Sequence, residues 1–317
     1  MFVQLLESLC ITECPAPTLH PFIFDCTTAA CEHNQAILTA YQHNLGNVIK
    51  DFPGSSISYG SEFRPLNQLE PLLLHHPSWP KLKDLFTHGS RYPVQHRNPE
   101  DRLQDIKFFT EYGNHKSAST VTGITLATDL LTGDVNTQRA LPIPSPYVLS
   151  IIGSELCALG ITKQHTISPT GEIMDKHRAC HDHTFPGPSK QSLNTRTIKT
   201  ALEPCYYGHC LRRIINYIVY LRSKHPSTPI VMLKVDLDSA YRRVHAHLSF
   251  AVQCIVFLGS IAYLLLRLPF GTTAAPSGFC VISEIICDIA NELLQGPPGI
   301  PKPPPHHSTP WSQLSTY

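Results

Sequence analysis

Charge is scarce in this chain. Lys, Arg, Asp and Glu make up 15% of its 317 residues and nearly cancel, leaving a formal +1. A balance so close to zero says nothing by itself about nucleic-acid partners. Together with 42% hydrophobic residues it describes a globular chain rather than a disordered one. Glycine is outnumbered by proline, 17 to 28, which favours short elements and many loops over long helices. A secretory signal is missing, because Glu7 interrupts the opening Met1-Phe-Val-Gln-Leu-Leu where an apolar stretch would continue. The 11 cysteines are odd in number and the chain is long, which argues against a full disulfide framework. Reduced thiols in the cytosol or nucleus are the expectation. Cys10, Cys14, Cys26 and Cys31, with His33, lack the two-residue gap of zinc knuckles, so buried or idle thiols are the preferred reading.

Long hydrophobic runs are also few. The longest, Phe250 to Leu266, sits at the bottom of the length range for a membrane-spanning helix. Leu258-Gly259-Ser260 divides it into two runs of strand length, and Val252, Ile255, Val256 and Phe257 favour strand. A buried β-hairpin is expected there.

Three regions are expected along the chain. Residues 1–147 read as a mostly helical leader without a catalytic constellation. Helices are expected over Thr27–Lys50, Leu66–His76 and Lys81–Thr87. Another should start at Asn98-Pro99-Glu100-Asp101 and run to Gly113, and one more should span Lys116–Leu131 with Gly133 as its stop. Leu141-Pro-Ile-Pro-Ser-Pro146 reads as a joint. Residues 148–295 begin with a helix over Leu149–Leu159. They continue with a hairpin turning at Ser168-Pro-Thr-Gly171, a helix over Cys205–Ser223, a strand over Val231–Asp236 and a helix over Ala275–Leu294. Residues 296–317 belong to a proline-rich stretch read as a disordered tail.

The charge is unevenly placed. Between Glu172 and His247 there are 12 Lys/Arg against 6 Asp/Glu, a local +6, while the remainder of the chain carries −5. Three motifs lie in or beside this basic stretch. The first is Asp175-Lys176-His177-Arg178, then His181-Asp182 and Ser192-Leu-Asn194. The second is Ile230-Val-Met-Leu-Lys-Val-Asp236-Leu237-Asp238-Ser-Ala240-Tyr241. The third is Leu268-Pro269-Phe270-Gly271, followed by Ala275-Pro276 and Phe279. A short β-branched run that ends on a carboxylate can hold it rigidly, as the strict octahedral geometry of Mg²⁺ demands. Arginine's planar fork suits phosphate oxygens.

In this order the motifs resemble the reverse transcriptases of retrotransposons, over about Leu159 to Leu294. The resemblance implies an α/β right-hand polymerase, with fingers and part of a palm, that joins deoxynucleoside triphosphates on an RNA or DNA template-primer using two Mg²⁺ ions. It implies that Asp236 bridges both ions and that the Leu237 carbonyl adds an oxygen. Arg178 would meet the triphosphate, with Lys176 a neighbouring basic position of variable role. Tyr241 would abut the sugar 2′ position and favour deoxynucleotides. Phe270 and Gly271 would let template and nucleotide approach the backbone. Asp182 and Asn194 read as structural, each bonding local backbone. His177, His181 and His183 read as nucleic-acid or solvent contacts rather than a zinc site.

One departure weighs against activity. The family needs an aromatic-x-Asp-Asp motif after the Pro-Phe-Gly segment, and only Glu284, Asp288 and Glu292 are acidic there. The expectation is therefore a polymerase-family chain that is inactive as it stands. The alternative is a non-enzymatic nucleic-acid-binding remnant of a retroelement.

Overall fold

The computed structural model describes residues 19–168, 170–202, 210–232 and 237–294. It is 47% helical and 16% strand, which places the chain in the mixed α/β class.

Residues 19–136 supply helices, and side-chain caps decide where several of them begin. Helix α1 (Thr28–Ala40) starts where the Thr27 hydroxyl accepts the Ala30 N–H at 3.3 Å. The expected single helix over 27–50 is in fact two. Gln42 and His43 take left-handed φ of 56° and 59°, and Asn44 then caps α2 (Leu45–Asp51) through the Gly46 N–H at 2.9 Å. Helix α3 (Leu66–Leu73) ends three residues earlier than read, and α4 spans Trp79–His88. Helix α5 (Pro99–Tyr112) has the expected Asn98 cap, acidic first turn and Gly113 stop. The helix expected from 116 to 131 is divided by Thr120 into α6 (Lys116–Ser119) and α7 (Val121–Asn136), because the Thr120 hydroxyl accepts the Gly123 N–H at 3.0 Å. Gly133 does not stop α7, which runs on to Asn136.

The proline run read as a joint is a strand, β1 (Ala140–Pro144). It pairs antiparallel with β5 (Ile261–Leu265), and β5 pairs with β4 (Ile255–Leu258), giving the order β1-β5-β4. Pro142 and Pro144 are tolerated because β1 is an edge, where a missing N–H costs no ladder bond. The buried Asn34 side chain of α1 covers that edge by donating to the Pro142 carbonyl at 2.9 Å. The expected hairpin is present, with Gly259 (φ 61°) opening its two-residue turn. Among the described residues its partner strand is β1. Val231 and Met232 are exposed and outside any strand, and 233–236 fall outside the described residues.

The helix expected over 149–159 is absent. A 3-10 turn (Ser145–Ser150) and a loop through Gly153 (φ 76°) lead instead into β2 (Ala158–Ile167). Strands β2 and β3 (Ile173–Asp182) form the expected two-stranded hairpin, longer than read, in register Thr162↔Arg178 and Gln164↔Lys176. After the short helix α8 (Leu193–Arg196), α9 spans Cys210–Lys224, with Leu211, Ile214 and Ile215 exposed. The short α10 (Leu248–Ala251) precedes β4, and α11 spans Ala275–Leu294 as expected. Among the described residues no helix is long and apolar enough to cross a membrane. Segments 1–18, 203–209 and 295–317, which carry Cys10, Cys14 and the proline-rich stretch, lie outside the described residues.

Buried residues on both sides of residue 147 belong to one core. One buried cluster runs from Phe22 and Leu38 through Leu141 and Ile143 to Leu264 and Ile282. A buried ion network binds the two regions further. Arg97 pairs with Asp105 and reaches Glu155 at 3.2 Å, and Glu155 also takes Arg196 at 2.5 Å.

Candidate functional site

A cleft of about 770 Å³ opens between the β2–β3 hairpin, the turn before α10 and the start of α11. Strand periodicity puts Lys176 and Arg178 on the same face of β3, and both line the cleft. Leu237, Asp238 and Tyr241 line it from a second segment. Ser239 there adopts a left-handed φ of 55° and feeds a 3-10 turn, Ala240–Arg243. Phe270 lines it from a third. The Arg178 guanidinium stands 5.9 Å from the centre of the Phe270 ring, a cation–π distance. Tyr241 packs at 5.2 Å from Phe270 and 5.8 Å from Phe279.

Why the Pro-Phe-Gly segment sits there follows from two residues. Gly271 has φ of 99°, and a Cβ on it would lie 2.2 Å from the His181 carbonyl oxygen. Only glycine permits that approach between turn and hairpin. Asn194 then ties the turn down, donating to the Gly271 carbonyl at 2.7 Å and accepting the Thr273 N–H at 2.8 Å. Asp182 plays the local part expected of it, accepting the Thr184 and Phe185 N–H groups at 3.1 and 2.9 Å. Its other oxygen meets His115 at 3.0 Å.

His181 and His183 are not surface contacts. Both are buried, His181 in the wall of the cleft, and both nitrogens of His183 lack a hydrogen-bond partner. Burial brings the His181 pKa down to about 4, with the Phe270 backbone partly opposing. Burial, with His181 adding to it, brings His183 down to about 3. Among the described residues no group of three His, Cys, Asp or Glu side chains is placed to hold a metal ion. Asp236, the expected bridging ligand, lies outside the described residues, although Leu237 beside it is described and exposed.

Sequence reasoning missed the leader's share of this cleft. Asp134 and Arg139, at the end of α7 and just before β1, line it together with Arg242. Arg242 is buried, its pKa falls to about 10 through burial and then the nearby Arg267, and it is ion-paired with Asp134. No signal in residues 134–139 marks them, because what brings them here is the β1–β5 pairing across more than a hundred residues.

Compared with known proteins, the chain matches no family model, no curated protein and no solved structure.

Proposed function

We propose that this chain is the fingers and partial palm of a right-hand polymerase of the reverse-transcriptase type, and that its cleft receives a deoxynucleoside triphosphate beside a nucleic-acid template-primer. The observation that carries the reading is convergence. Lys176, Arg178, Leu237, Tyr241 and Phe270 come from three segments spread over 95 positions, yet all line one cleft.

In this reading Arg178 offers two parallel N–H donors to phosphate oxygens, and Lys176 adds a point charge beside it. Tyr241, held between Phe270 and Phe279, forms a rigid wall against the sugar. Asp236 and the Leu237 carbonyl are the oxygens that would hold Mg²⁺, which would supply charge neutralisation on the phosphates. The described part of the cleft groups no further ligand set for an ion, so no catalytic step is assigned to residues 1–317.

The test is equilibrium binding of dTTP and of a primer-template to the 317-residue chain. Both should bind, and primer-template affinity should fall at least about tenfold between 50 and 200 mM salt, since bound phosphates release counterions. Binding that ignores salt, or none at low salt, counts against the reading.

A further inference from the structure

Among the described residues, one cation of the cleft, Arg139, has no ion-pair partner. Arg139 lies between α7 and β1, and its backbone is fixed on both sides. Its N–H donates to the Asp134 carbonyl at 2.8 Å, and its carbonyl accepts the Leu266 N–H at 2.9 Å. The side chain is half-buried and lines the same cleft as Arg178. Its Nε is sealed from solvent with no hydrogen-bond acceptor, and the guanidinium makes no ion pair among the described residues. Asp134, which lines the same cleft, is already paired with Arg242. Asp238 sits in the turn beside Ser239, and Glu284 has an interaction of its own. An Nε–H sealed from water without an acceptor costs free energy unless something brings one. Arg178 also lines the cleft, and no acidic partner is given to it among the described residues; its guanidinium faces the Phe270 ring.

We infer that Arg139 is an anion-binding residue of this cleft, contributed by the leader region, and that its ligand is a phosphate group bound together with Arg178. The inference rests on the proposed function for the identity of the anion, not for the presence of the uncompensated cation. It gives the leader a direct part in the site. Two sources carry the same chemistry, a nucleoside triphosphate and the phosphodiester backbone of a strand.

The experiment measures inorganic tripolyphosphate, dTTP and a single-stranded oligonucleotide binding to the full chain and to Arg139→Gln, Arg139→Lys and Arg178→Gln, with the melting temperature of each. Arg139→Gln should weaken at least one phosphate probe about tenfold or more, and Arg139→Lys should recover part of the loss. Its melting temperature should stay level or rise, because an unpaired, partly buried charge has been removed. A residue that merely supports the fold would lower affinity and melting temperature together, and that result overturns the inference. Loss with tripolyphosphate and dTTP identifies the nucleotide as the ligand, whereas loss with the oligonucleotide alone identifies the strand. If Arg178→Gln loses binding and Arg139→Gln does not, this inference falls while the proposed function stands. If the wild-type chain binds none of the three probes, both fall.

Discussion

At the scale of single residues, the cleft is built on groups whose behaviour is set by what surrounds them. His181 and His183 show this most plainly, since their loop position suggested solvent contact and burial instead makes them neutral. With folded pKa values of about 4 and about 3 against an ordinary 6.5, each is neutral in both states above pH 6.5 and adds no pH dependence there. Below pH 6.5 the unfolded chain takes up protons that the folded chain refuses. Stability should then fall by roughly 1.4 kcal/mol per pH unit for each histidine, down to the folded pKa values. His245, buried near Arg267 and shifted the same way, steepens the loss. Chemical denaturation between pH 7 and 4.5 should show this slope, and His183→Phe should flatten it by about one histidine's share. An unchanged slope in that variant would mean the pair is not sealed from water. Sequence could not announce this burial, because the His-x-His spacing is the same whether the strand faces solvent or the core. Arg178, Tyr241 and Phe270 stand out in the sequence by side-chain chemistry and motif order, and the fold lines one cleft with all three.

At the scale of elements, what could be read was whatever depends on neighbours within a few residues. The Asn98 cap and Gly113 stop of α5, the β4–β5 turn at Gly259 and the full length of α11 all follow from local rules. What escaped was decided by distant contacts or by a cap hidden inside an apolar period. Thr120 and Asn44 break helices that hydrophobic spacing alone would run together. Pro142 and Pro144 suggest a joint until β5 is seen to need an edge partner that can do without those N–H groups. The Pro269-Phe270-Gly271 turn combines both kinds of information. Gly271→Ala places a methyl carbon within 2.2 Å of a backbone carbonyl, at φ of 99°, and neither can rotate aside. The cost should be at least about 2 kcal/mol, from left-handed strain together with overpacking. Urea denaturation should register that loss. Because the turn carries Phe270, dTTP affinity should drop as well. An alanine variant of wild-type stability would show that the turn does not sit against the hairpin as described.

At the scale of the whole molecule, a shared core and the Arg97–Glu155–Arg196 network tie the chain before residue 147 to the chain after it, and Arg139 and Asp134 bring the first part into the cleft itself. That unity separates binding from chemistry. Binding needs a walled cleft with cations to offer, and the described residues supply Arg139, Lys176 and Arg178 there. Phosphoryl transfer by two metal ions needs carboxylates on both sides of the ions, roughly 3.5–4 Å apart. These 317 residues contain no Asp-Asp pair after Asp236. The expected outcome is therefore no measurable primer extension by the 317-residue chain with Mg²⁺, alongside retained primer-template binding. Asp236→Asn should leave that binding unchanged or slightly tighter, because under the proposed function it removes a negative charge that would repel phosphate. In a longer polypeptide that supplies an aromatic-x-Asp-Asp segment, the same substitution should abolish synthesis, since a neutral amide cannot replace an anionic ligand bridging two ions. A gel-resolved extension assay run on both polypeptides decides the matter. Extension by residues 1–317 that vanishes in Asp236→Asn would mean that some other pair of carboxylates completes the metal site. The separation of binding from chemistry would then be wrong, and the chain would be an enzyme in its own right.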